Sequence, residues 1–220
     1  MAISKFNYNS FNVTPVAGNA LSFNSDADGF STTGSGSMTL IKTLTASSSS
    51  TLSFVDGSSS VVLDDTYPVY VFKFINMHPA TNDVNFTFNM SVDTGSNYNV
   101  TKTTTKFVGL HTESGGTAAV EYEASNDLAQ STDFQILSKG LGNGNDECYS
   151  GNLMLFNPAS SVFVKHFLST GNENRSDDAA VNDFVAGYGN TTSAVDAVQF
   201  KMSSGNIDAG TIKLYGIKDS

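Results

Sequence analysis

From Met38 onward the chain reads as short runs of β-type residues separated by turn clusters. The clearest run is Val84–Ser91, where Val84, Phe86, Phe88 and Met90 alternate with Asn85, Thr87, Asn89 and Ser91. A period of two puts successive side chains on opposite faces of a strand, here one apolar and one polar. Ala197–Met202 repeats the pattern, with Val198, Phe200 and Met202 set against Gln199 and Lys201. Residues 68–77 (PVYVFKFINM) are apolar on both faces and predict a central strand. Met38–Thr45 and residues 50–55, 102–111, 118–124, 152–156, 162–169, 183–188 and 211–217 supply the other expected strands. Residues 127–137 fit a single helical turn. Turn chemistry separates the runs, as in Asp93-Thr94-Gly95-Ser96-Asn97 and Ser203-Ser204-Gly205-Asn206. Many short strands without an internal repeat predict an all-β fold, a jelly-roll-like two-sheet antiparallel sandwich over residues 38–220. Its interior is expected to hold Phe72, Phe74, Phe86, Phe88, Leu153, Leu155, Val198, Phe200, Ile212 and Leu214, which keep the apolar parity of their strands. In residues 162–169, Phe163 and Phe167 oppose the apolar parity of Val162, Val164 and Leu168, and His166 is placed in a core or an interface.

Residues 1–37 follow a different rule. Asn, Ser and Gly dominate, with Phe6, Tyr8, Phe11, Phe23 and Phe30 dropped in singly. Isolated aromatics on a polar ribbon suit a chain that pins itself to a neighbouring surface. The segment is expected to be an extended N-terminal arm, and those five aromatics are its expected partner-binding residues.

Composition narrows the function classes. Lys and Arg total 11 against 21 Asp and Glu, a net charge of −10. A nucleic-acid binder needs clustered cations to displace counterions from phosphate, so no nucleic-acid partner is expected. No stretch approaches the ~20 apolar residues of a membrane-spanning helix, and no membrane partner is expected. The start, MAISKFNYNSFN, lacks the apolar core of a secretory signal, which predicts a protein kept in the cytosol unless it leaves within a particle. The single cysteine, Cys148, has no internal partner and is expected to be chemically bland.

The search for chemistry is negative. His78, His111 and His166 are far apart in sequence, and no metalloprotease, nucleophile-elbow or phosphate-loop spacing occurs. Asp64-Asp65 and Asp177-Asp178 are adjacent, and neighbours on a strand point to opposite faces. Asn24-Ser25-Asp26-Ala27-Asp28-Gly29 begins like a calcium loop, but Ser35 stands where the bidentate Glu belongs, so an Asx-rich turn is expected. No catalytic residue, cofactor or metal is therefore expected, and the chain is expected not to be an enzyme.

Lys42–Phe54 (KTLTASSSSTLSF), Ile75–Val84 (INMHPATNDV), the turn Asp93–Tyr98 and Phe200–Lys218 (FKMSSGNIDAGTIKLYGIK) resemble β-rich virion components of marine tailed bacteriophages, a group labelled structural or tail-fibre-like. The resemblance covers most of residues 38–220. It implies a structural virion protein made in the bacterial host cytoplasm and does not separate capsid from tail. The small size of the chain, beside the longer and repetitive receptor-binding fibres, favours a capsid decoration (cement) protein. The alternative is a tail-associated β domain acting as an adhesin or glycan-binding module, for which Tyr67, Tyr70, Tyr98, Tyr149 and Tyr188 offer aromatic surface in a chain without Trp. The expected partners are further copies of itself, as a trimer, and other virion proteins such as the major capsid protein or tail proteins.

Overall fold

The computed structural model describes the backbone of residues 20–23 and 30–33 and the full structure of residues 38–218. The chain divides into two compact units, residues 1–39 with Ser220, and residues 40–219. In the first, β1 (Ala20–Phe23) and β2 (Phe30–Thr33) pair antiparallel, in a register running from Ala20↔Thr33 to Phe23↔Phe30.

The second unit is built on one 12-stranded network that begins with β3, and no helix occurs among the described residues. The strands are β3 (Met38–Thr45), β4 (Leu52–Val55), β5 (Val69–Pro79), β6 (Val84–Ser91), β7 (Lys102–Thr112) and β8 (Ala118–Tyr122), then β9 (Gln135–Leu141), β10 (Tyr149–Phe156), β11 (Lys165–Arg175), β12 (Ala179–Gly189), β13 (Ala197–Met202) and β14 (Ile207–Ile217). The all-β expectation therefore holds. The network has a broad run, β3-β14-β5-β10-β11-β12-β7-β8, and a shorter one, β9-β6-β13-β4. They join where Arg175 of β11 pairs with Leu141 of β9. Almost every connection carries the chain from one run to the other, and the exceptions are the adjacent pairs β7–β8, β10–β11 and β11–β12.

The apolar faces of the two runs meet in an aromatic core. Phe200 of β13 packs on Phe72 and Phe74 of β5 with ring centroids 5.3 and 5.2 Å apart. Phe88 of β6 meets Phe167 of β11 edge-on at 4.9 Å. Such offset and edge contacts suit the ring quadrupoles. All ten residues expected inside are buried. In β6 and β13 large apolar and polar residues alternate, so the side-chain period fixes which face turns inward.

Several local expectations are corrected. Residues 127–137 form no helical turn, and Gln135 opens β9. Its buried amide donates to the carbonyls of Asn126 and Ile136 and its oxygen accepts from Thr104 Oγ1, a set of partners that hydropathy does not show. Residues 68–77 form a central strand, but Lys73 and Ile75 face solvent, so only one face is fully covered. The polar face of β6 is not solvated, since Thr87, Asn89 and Ser91 are buried. In residues 162–169 the strand begins at Lys165 and its parity is inverted: Lys165, Phe167 and Ser169 point inward, whereas His166 and Leu168 point outward. A fully bonded lysine can occupy an inward site, which frees Leu168 to the surface. Its ammonium donates to the carbonyls of Ser160 and Phe163, both at 2.7 Å.

Candidate functional site

The structure places the expected site residues unevenly. Phe6, Tyr8 and Phe11 lie outside the described residues, as does the calcium-like segment 24–29. Phe23 and Phe30 are backbone partners at one end of the β1–β2 pair. His78 is held in place, with Nε2 3.0 Å from the Gly144 carbonyl and Nδ1 3.9 Å from Asp208. His111 and His166 are exposed on the outside of the broad run, not in a core. Asp64 accepts from the Thr66 amide and from the Tyr70 hydroxyl, and these bonds hold its carboxyl below the usual value. Asp177 sits in the β11–β12 turn under a two-bond grip from Arg175 at 2.7 and 2.8 Å. Of the tyrosines, Tyr70 and Tyr149 are buried and offer no platform.

The outside of β11, β12, β7 and β8 carries apolar side chains in register. Tyr122, Phe107 and Phe184 follow one another across three strands. The Phe107 and Phe184 rings stack at 4.7 Å, only 7° from parallel. Val120 is 80% exposed, Tyr122 58% and Leu168 48%. A shallow groove alongside is lined by Thr103, Thr105, Phe156, Leu168 and the His166–Tyr188 pair. β8 ends the run, with no strand beyond it among the described residues, and it contains neither lysine nor proline. β8 is short and carries the exposed Glu121, which guard its edge in part, while the exposed aromatic row beside it marks a contact surface.

The inside of the same strands is charged. Lys106 is fully buried, in direct contact with Asp183 Oδ1 and 2.9 Å from Glu123 Oε2. Ser138 donates to Glu173 Oε2, while Glu173 Oε1 and Asp183 Oδ2 are buried without a partner among the described residues. Burial pushes the Asp183 carboxyl up. Burial and the Asp183 charge do the same to Glu173. Burial alone would lower the Lys106 ammonium, but the facing carboxylates outweigh it and its pKa rises. All three groups thus hold protons more tightly than in water, as expected when several carboxyls share one cation in a dry site. Burial also favours protonation of Glu123, but Lys106, Asn126 and Lys139 hold its carboxyl below the usual value. Nearby, burial pulls the Lys102 ammonium down to about 7, where it donates to Asn89 Oδ1 at 2.6 Å and the Val100 carbonyl at 2.7 Å.

The cluster is not legible in the hydropathy pattern because β7 offers Thr103-Thr105-Phe107 and Lys102-Thr104-Lys106 as its two faces, and the first is the more apolar. The structure turns the second inward. The available signal was charge matching, with Lys102 and Lys106 on one face of β7 against Asp183 and Glu173. No group of three or more His, Cys, Asp or Glu among the described residues is arranged to hold a metal ion. Comparison with protein-family models, curated proteins and solved structures gave no match to the chain.

Proposed function

We propose that this chain is a non-enzymatic structural component of a tailed-phage virion, foremost a capsid decoration protein that oligomerises, as a trimer, and docks on other virion proteins. The observation that carries the proposal is the outer face of β12, β7 and β8, with its stacked Phe107–Phe184 row and the exposed Val120. Apolar area in water costs about 25 cal/mol per Å2, and a neighbouring subunit recovers that cost. The sequence resemblance gives the class of particle, and the arm aromatics Phe6, Tyr8, Phe11, Phe23 and Phe30 give a second point of attachment. The ring contacts between the two strand runs, and the connections that alternate between them, support a jelly-roll-like two-sheet sandwich. A tail-associated glycan-binding role is the second reading. It is favoured by the groove where Tyr188 and His166 stand beside the hydroxyls of Thr103 and Thr105.

Two variants separate the attachment points. Deleting residues 1–37 is expected to abolish binding to undecorated particles and leave the β domain folded. Phe107→Asp with Val120→Asp is expected to abolish self-association. Full particle occupancy by the truncated chain would remove the arm from the account, and unchanged oligomer size in the double variant would remove the outer face.

A further inference from the structure

β7 and β12 are antiparallel neighbours, with Val108 opposite Asp183 and Lys106 opposite Val185. Lys106 and Asp183 are therefore diagonal on one face, a spacing that a lysine side chain bridges. That face is closed from water, since Lys106 and Asp183 are buried and so are Val108, Val181 and Val185 beside them. The Lys106 amine touches Asp183 Oδ1, and a nitrogen against a carboxyl oxygen stands within about 3–3.5 Å of the carboxyl carbon, the near-attack range. Glu123 Oε2 is 2.9 Å from the same amine. An amine, a carboxyl and a second carboxylate meet in a dry site with no other assigned work.

We propose that Lys106 and Asp183 condense into an intramolecular amide, an isopeptide bond between β7 and β12, with Glu123 relaying the proton. The ammonium first passes one proton to the Asp183 carboxylate, which turns an ion pair into an amine and a carboxylic acid without changing the net charge. Low polarity favours the uncharged pair and burial raises the Asp183 pKa, but the facing carboxylates also raise that of Lys106. The neutral pair is therefore the minor form, and the attack proceeds from it. Lys106 Nζ then attacks Asp183 Cγ and the N–C bond forms. Glu123, ionised, takes the second proton from nitrogen and delivers it to the Asp183 hydroxyl. The C–O bond breaks and one water leaves. The atoms balance as amine plus acid giving amide plus water, with no oxidant, cofactor or activated substrate, and Glu123 returns to its starting state.

The product removes the buried charge pair of Lys106 and Asp183. The two charges of the pair disappear and one Asp183 oxygen departs, although Asp183 Oδ2 has no partner in the unlinked form. Glu123 keeps Lys139 at 3.4 Å and Asn126 at 3.0 Å. Glu173 keeps Ser138. Positions 106 and 183, 77 residues apart, become covalently joined, which prevents β7 from peeling away from β12 and restricts the unfolded chain. This inference is independent of which particle the protein occupies.

Intact-mass spectrometry of the purified full chain under denaturing conditions tests it. The chain is expected to be lighter by one water, about 18 Da, than the 23.3 kDa of its sequence. A protease digest is expected to yield one branched peptide joining the Lys106 and Asp183 segments. Glu123→Gln, shown to be folded by circular dichroism, is expected to have the full sequence mass. Wild-type chain at full mass, or a lost water with the Lys106 and Asp183 peptides recovered separately, would overturn the bond. A folded Glu123→Gln chain that still yields the branched peptide would overturn the role given to Glu123.

Discussion

Replacing Phe200 by alanine is expected to lower the stability of the β domain by about 3–5 kcal/mol, the largest loss from any single core truncation. Phe200 lies at the centre of the aromatic cluster. Its ring meets Phe54, Phe72, Phe74, Phe86 and Phe88, with centroids between 5.2 and 6.3 Å away. Those rings come from β4, β5 and β6, so one truncation opens a void between both strand runs. Stiff aromatic walls collapse poorly into such a void, which adds a cavity cost to the lost transfer energy. Urea denaturation followed by tyrosine fluorescence would read the loss. A midpoint unchanged within error would mean that the runs do not pack through this residue.

The second large effect is expected at the buried charges. Lys106→Met removes the group that neutralises Asp183, whether as an ion pair or as the proposed amide, and leaves the Asp183 and Glu123 carboxyls in a dry interior. Breaking a buried pair on one side costs about 3–5 kcal/mol near neutral pH. The sign of the pH dependence follows from the pKa shifts. Burial raises the folded-state values of Asp183 and Glu173 above their ordinary 3.8 and 4.5, and loss of Lys106 raises them further. A carboxyl with a raised folded-state pKa leaves stability intact below its unfolded pKa, and stability is lost as pH rises towards the folded one. The deficit of the variant should therefore be small near pH 4 and grow through neutral pH. Denaturation at acidic, neutral and mildly alkaline pH checks this, and a deficit independent of pH would show that the carboxyls are solvated.

The two results mark what the sequence made legible. The core around Phe200 is readable because β6 and β13 alternate bulky apolar residues with polar ones, and hydrophobic burial follows that alternation directly. β7 and β11 were misread for the opposite reason. Their inward faces carry Lys102, Lys106, Lys165 and Glu173, whose burial is compensated by partners far along the chain, such as Asn89 and Asp183. A one-dimensional pattern holds no record of such pairings, so it does not show that Phe107 and Leu168 lie on the outside. That placement is what creates the apolar outer row, so the candidate contact surface was hidden together with the charge cluster. β9 was missed for a related reason. Gln135 falls in the segment expected as a helical turn, whereas buried hydrogen bonds from Thr104 to Gln135 and from Ser138 to Glu173 hold the segment in a strand.

The central claim is that the chain is a built-in part of a virus particle. Cryo-electron microscopy of the intact virion tests it most directly, because location and copy number are read from one reconstruction. The account predicts an all-β domain on the outside of the capsid, repeated with the lattice of the major capsid protein and contacting its neighbours through the outer face of β7, β8 and β12. The same domain found only at the tail, in low symmetric copy number, would contradict the decoration role and favour the adhesin reading. A particle with no density for the domain anywhere would contradict the structural role itself.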